Sequence, residues 1–414
     1  MPKTSRTRSA RAVANDSAIR DAAIDELIRV GVDHLSLRDV SHRAGLTHGA
    51  TYARYEDFGE LLVDLWISRL GVRIQLLFDL CMNAAKHPGP VSAKTLFDHV
   101  HQAGPNDVAA IQLLLTARRL PTLLEEVESF IRESLEAESC SSPDVSPAFT
   151  RGITLFAMMI AEIFADSYLG ADEHYREIVE AALLETLLTD PESVETRPFT
   201  EEITPDTAPT SSDLRAQLSW ATNLVVGRSG YTRATISRIA RRANCSPGAI
   251  YKLYESKEEL VATAFRELMR SRWMRANNFV RVLEEDAISR MLYRATSHEH
   301  AVRRSFTTEF ALAAPYNALL LAAIQDQTRG LGTIVDGLEN VSSDEKQRLN
   351  HFIRALTYLT VGAGMLANVS ENMQCSNFAQ FAEPFRRAIL RDCLPTWTEL
   401  RRQIVDAAQS ADVH

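Results

Sequence analysis

TISRIARRANCSPGAIYKLYESKEEL, residues Thr235 to Leu260, reads as helix, tight turn, helix, turn, helix. Thr235 can cap the first helix, and Ile236, Ile239, Ala240 and Ala243 fall on one face at helical spacing. Asn244 stands where the chain must turn, and Asn tolerates the left-handed conformation. Ser246 caps the next helix, with Pro247 at its first position, where a missing N–H costs nothing. Ser256 and Glu259 form a capping-box pair that starts a third. Two short helices around a tight turn, the second opening with small and hydrogen-bonding residues, describe a DNA-reading helix-turn-helix.

The stretch occurs twice. Shifted back by 199 positions it falls without a gap on Ser36 to Leu61, SLRDVSHRAGLTHGATYARYEDFGEL. Between Arg43–Leu61 and Arg242–Leu260, nine of nineteen positions are identical, too many in register for two unrelated amphipathic pairs. Gly45 takes the place of Asn244 and Thr47 that of Ser246. Gly31 and Gly230 both follow an apolar helix, as C-terminal glycines do.

These residues resemble the head of the TetR family of bacterial transcription regulators, with a pattern close to A-x-x-A-G-V-S-x-G-x-x-Y-x-x-F-x-x-K-x-x-L. The second copy supplies Ala240, Ala243-Asn244-Cys245-Ser246, Gly248, Tyr251, Tyr254, Lys257 and Leu260. The first supplies Ala44-Gly45-Leu46-Thr47, Gly49, Tyr52, Tyr55 and Leu61, with Phe58 where the pattern has lysine. The resemblance implies a three-helix head on a helical body with a small-molecule pocket, the last two body helices dimerising. It also implies that Tyr52 and Tyr251 contact the DNA backbone and that Lys257 binds phosphate. Charge reversal at Lys257 is therefore expected to weaken DNA binding more than loss of residues 1–16.

In such a head the recognition helix enters the major groove with its first turn nearest the bases. Those turns are Thr47, His48, Gly49, Ala50 and Ser246, Pro247, Gly248, Ala249. Thr47 and His48 can hydrogen-bond base edges or phosphates, and Ala50 and Ala249 can touch a thymine methyl. Arg54 and Lys252 lie next on the outer face, and the preceding helices offer Arg38, Thr235 and Ser237. The heads differ at nearly every base-reading position, so unlike half-sites are expected.

The whole chain carries a net charge of −9, which taken alone argues against nucleic acid. Its distribution argues the other way. Seven Lys/Arg stand against one Glu from Arg228 to Lys257, and five against one Asp from Pro2 to Arg20. Residues 1–16 are expected to be a disordered basic arm, with Lys3, Arg6, Arg8 and Arg11 available to phosphates or a minor groove.

The expected order is arm 1–16, head 17–65, body 66–189, linker 190–213, head 214–264 and body 265–410, all helical, a tandem duplication. The linker has four prolines, five threonines and seven acids against one Arg. Ile153, Phe156, Ile160 and Phe164, then Ile178, Ala182 and Leu187, and Leu349, Phe352, Ile353, Leu356 and Leu359 form apolar stripes, expected at an interface that makes one chain an intramolecular pseudo-dimer. Assembly of two chains into a homodimer is the further arrangement left open.

A ligand-responsive repressor is the first expectation, with a double-stranded operator as partner and a small hydrophobic or amphipathic effector. The alternative is an interaction protein whose first head has lost DNA binding. An enzyme is not expected: no P-loop, GxGxxG or Ser/His/Asp grouping appears, and His298-Glu299-His300 has the wrong spacing for a shared helical face. No cofactor or metal is implied. Cys81, Cys140, Cys245, Cys375 and Cys393 show no CxxC spacing and fit a reducing cytoplasm. No uninterrupted apolar run of about 20 residues suggests a membrane span, since Leu155–Ala165 is broken by Glu162.

Overall fold

Thr235 and Ser246 each open a helix by accepting a backbone N–H, from Arg238 at 3.3 Å and Ala249 at 3.2 Å. Ser36 and Thr47 do the same for Asp39 at 3.2 Å and Ala50 at 3.3 Å. In the computed structural model of the protein, which describes residues 10–138, 145–194, 206–210, 213–273, 287–337, 341–370, 373 and 378–390, every regular element is helical.

The first unit begins with α1 (Ala10–Val30), α2 (Leu37–Arg43) and α3 (His48–Tyr52). Helix α4 (Phe58–Leu65) runs through a π turn, Trp66–Leu70, into α5 (Gly71–Lys86). Its body continues with α6 (Pro90–His101), α7 (Pro105–Thr116), α8 (Pro121–Phe130), α9 (Pro147–Leu169) and α10 (Glu173–Leu188). The second unit repeats the plan with α11 (Leu214–Ser229), α12 (Ile236–Arg242), α13 (Pro247–Tyr251) and α14 (Lys257–Trp273). Then come α15 (Ala287–Thr296), α16 (Ala301–Ala313), α17 (Ala318–Asp336), α18 (Ser343–Val369) and α19 (Ala379–Ile389). The second body, expected to run to residue 410, is described only as far as Leu390.

Both heads turn on the same backbone devices. Gly31 and Gly230 each have φ 78°, and Gly45 at φ 66° matches Asn244 at 51°. These are left-handed positions, where a Cβ is strained and Asn is tolerated. The turn is closed alike in both: Leu46 N–H donates to the Ser41 carbonyl and Cys245 N–H to that of Ala240, each at 3.0 Å.

Two expectations need correcting. The N-terminal arm does not extend to residue 16, because α1 already starts at Ala10. Asp16 is buried there and pairs with Arg54, which draws this part of the chain into the head. Lys3, Arg6 and Arg8 lie outside the described residues. Nor is the linker simply a spacer. Asp206 is held in the second body, where its carboxylate accepts the Arg303 N–H at 3.1 Å near the start of α16 and pairs with His300 at 3.2 Å. An acid at a helix N-terminus complements its unpaired N–H groups and dipole.

The units meet through their long helices. Helix α9 crosses α18, and α10 packs on α19. Phe156, Ile160, Phe164, Phe352, Leu356 and Leu359 are all at most 1 % exposed. Burying each such side chain contributes about 1.5–3 kcal/mol. By length and composition α9 and α18 could each cross a membrane, but 94 % and 78 % of their apolar windows are buried inside the protein. Their apolarity is thus used in packing one against the other. The first head shares one continuous core with the bodies, whereas Leu218, Ile239, Ile250, Tyr254 and Leu260 of the second form a small separate core.

Candidate nucleic-acid interface

Short helices with polar caps place the first turns of α3 and α13 on the surface. Thr47, His48, Gly49, Ser246, Pro247 and Gly248 are exposed, with Ala50 and Ala249 half-buried. The hydroxyls of Thr47, Thr235 and Ser246 accept backbone N–H groups, which leaves each O–H able to donate outward. Tyr52 and Tyr251 are 47 % and 58 % exposed, too open for core tyrosines. The His48 ring lies against Tyr52, with centroids 4.5 Å apart. Arg38, Ser237 and Lys252 are also exposed.

Charge is arranged differently on the two heads. In the second, Arg241 and Arg242 project from the end of α12 with no ion-pair partner among the described residues, and Arg233 and Arg238 are exposed nearby. These arginines were visible in the charge run but were not singled out, because a charge count does not say which side chains stay unpaired.

In the first head four arginines are held, and Arg38 alone of the five stays exposed without an ion-pair partner among the described residues. Arg43 Nε donates to Glu26 at 3.0 Å and Arg29 Nε donates to the same carboxylate at 3.1 Å. The Glu26 side chain is 2 % exposed, and the hydrogen bond from Arg29, then that from Arg43, holds its carboxyl below the usual range against the cost of burial. Arg20 makes a bidentate pair with Asp64, both bonds 2.8 Å. Arg54, expected on the DNA face, turns inward instead: it pairs with Asp16 and donates to the Ala50 carbonyl at 2.8 Å. The position matching Glu26 is Val225 and that matching Asp16 is Arg215, so the second head lacks these acids.

Lys257 also departs from expectation. Its Nζ donates to the Tyr231 carbonyl at 3.2 Å and sits 4.0 Å from the Tyr231 ring centroid. Desolvation lowers its pKa. In this conformation it faces a cavity between the units rather than the outer surface.

Residues 221–264 match the family model for bacterial regulatory proteins, tetR family. The match runs from within α11 into α14 and so covers the second head. It supports membership in the TetR family, which comprises DNA-binding transcription regulators. A comparison with curated proteins returns no significant match. The exposed tyrosine, the polar-capped α13 and the unpaired arginines all fall within or beside the TetR-matching segment.

Proposed function

We propose that the protein is a sequence-specific DNA-binding transcription regulator of the bacterial cytoplasm, a ligand-responsive repressor acting as a covalent pseudo-dimer with two unequal heads. The observation that carries this reading is the TetR-matching head, with Arg241, Arg242, Tyr251 and Lys252 exposed around the start of α13. Ser246, Pro247, Ala249, Thr235 and Ser237 complete its reading surface, and Thr47, His48, Ala50, Tyr52 and Arg38 are their counterparts.

The pseudo-dimer is favoured by the pairing of like with like. Helix α9 meets α18 and α10 meets α19, each the late helix of its own body. Covalent linkage removes the bimolecular cost of bringing the second head to DNA. Two heads on successive major grooves need a spacing of about 34 Å. An effector that favours another arrangement of the bodies would move the heads off that spacing and lower operator affinity.

A second reading is favoured by Glu26 and Asp16. With Arg29, Arg43 and Arg54 tied to carboxylates, the first head has few cations to offer phosphates. It would then serve chiefly to hold the second in place. Operator selection followed by footprinting separates the two. Two unlike protected half-sites per chain support two reading heads; one half-site supports the second reading. Failure to select any operator sequence overturns both.

A further inference from the structure

Between the units lies a cavity of about 220 Å³, room for roughly seven waters. Its walls come from both heads and both bodies: Asp33 of the first head, Lys257 and Glu258 of the second, Arg119 of the first body and Glu309 of the second. Its charged lining suits a different ligand from the hydrophobic or amphipathic effector expected from the sequence.

We propose that this cavity is a binding site for a small organic cation, an amine or guanidinium compound, seated between the two heads. This identification of the effector class rests on the ligand-responsive reading above.

Charge favours such a ligand. Three carboxylates, Asp33, Glu258 and Glu309, face the cations of Arg119 and Lys257, with the His34 imidazole also in the wall. Arg119 bridges two of the acids, with Nη1 2.6 Å from Asp33 and Nε 2.8 Å from Glu309. Lys257 spends its ammonium on a backbone carbonyl and an aromatic face. One negative charge is left over. Burial pushes the Glu309 carboxyl up to about 8, so at neutral pH a proton holds that surplus charge. An organic cation would take the proton's place.

The polar groups of the wall favour a donor ligand as well. Tyr231 donates to Glu258 at 2.7 Å and Gln112 donates to Tyr316 at 3.0 Å. Those bonds use up donors, whereas a carboxylate can accept about four hydrogen bonds. An acceptor-rich, acid-rich space suits a ligand made of N–H donors. The Tyr231 ring is already covered by Lys257, so the aromatic wall open to a cation is the ring of Tyr316.

The cavity also lies where the two heads meet. Thr232 Oγ1 of one head lies 3.3 Å from His34 Nε2 of the other, so the heads touch at the edge of this cavity. A cation held by Asp33 on one side and Glu258 on the other would set the relation of the heads directly, and would compete with Arg119 for Asp33.

The test uses the full chain and three four-carbon probes: n-butylamine, n-butanol and butyrate. Calorimetric titration should show saturable binding of n-butylamine at one site per chain, with neither butanol nor butyrate binding there. Glu309→Gln, which removes one charged acceptor, should weaken that binding about tenfold or more. Should that variant fail to fold, Thr232→Lys at the half-exposed edge supplies a tethered ammonium and should abolish probe binding. Absent butylamine binding, equal or better binding of butyrate, or binding untouched by Thr232→Lys would overturn the site. Operator affinity is measured on the same preparations. Operator binding without butylamine binding sinks the cation site alone; butylamine binding without operator binding sinks the regulator reading alone.

Discussion

Gly362 of α18 lies so close to α9 that a methyl group at that position would overlap the carbonyl of Ala157. Two helices can approach this far only where one lacks a side chain, and a backbone carbonyl cannot rotate away as a side chain would. The same interface is chemically one-sided. Arg354 of α18 reaches Asp172 at 3.1 Å and Asp166 at 3.4 Å in the first unit. Glu162 of α9 is buried nearby, beside Asp166 and Arg176.

Gly362→Ala tests that contact against helix propensity. Alanine favours a helix by about 0.5–1 kcal/mol over glycine, but overpacking a tight contact costs about 1–3 kcal/mol. The contact should win, and urea unfolding should show a net loss of stability. Gly330→Ala in α17, with open space around its Cα, should show the small gain instead. Equal effects at both positions would mean that α9 and α18 do not meet so closely in solution.

Glu26→Gln should strengthen DNA binding. It releases Arg29 and Arg43 from a shared carboxylate without changing side-chain size. Each arginine that then reaches a phosphate should steepen the slope of log affinity against log salt by about 0.9. A mobility-shift titration over a range of salt reads this directly. An unchanged slope would mean that the first head does not approach DNA.

Arg241→Ala or Arg242→Ala should make the salt slope shallower by about 1 each and weaken binding across sequences. Lys257→Met should leave the slope nearly as it is, since its ammonium is held by Tyr231. The family pattern implies instead that Lys257 binds phosphate. A slope change at Lys257 as large as at Arg242 would restore that role and require Lys257 to swing outward on DNA.

Stability should fall as pH rises through the neutral range. Burial pushes both Glu162 and Glu309 from 4.5 up to about 8. A raised folded pKa means the native state binds the proton more tightly than the unfolded chain does. The stabilisation is therefore complete below 4.5 and is lost as pH climbs through about 8. Thermal midpoints should drop from about pH 6 to about pH 9, and either Glu162→Gln or Glu309→Gln should flatten the drop. A flat wild-type curve over that range would show that neither acid is buried neutral.

Most of the heads could be read from residue order, because the rules that shape them act within a few residues. A hydroxyl three places before an N–H caps a helix, and Asn or Gly is needed where φ turns positive. Thr235, Ser246, Asn244, Gly31 and Gly230 all behave so. The repeat at 199 residues also needed nothing beyond the sequence, and it pointed to a pair of similar bundles. Which cations face outward did not follow, because it depends on partners far along the chain. Arg54 looked like a groove contact until Asp16, 38 residues earlier, took it. Lys257 looked like a phosphate ligand until Tyr231 covered it. Arg119, Asp33 and Glu309 come from three separate elements, and no spacing rule joins them. Local geometry was set by short-range sterics and hydrogen bonds, which residue order encodes directly. The charge on each head and the cavity between them were decided only when packing fixed which groups lost their water and which found a counter-ion.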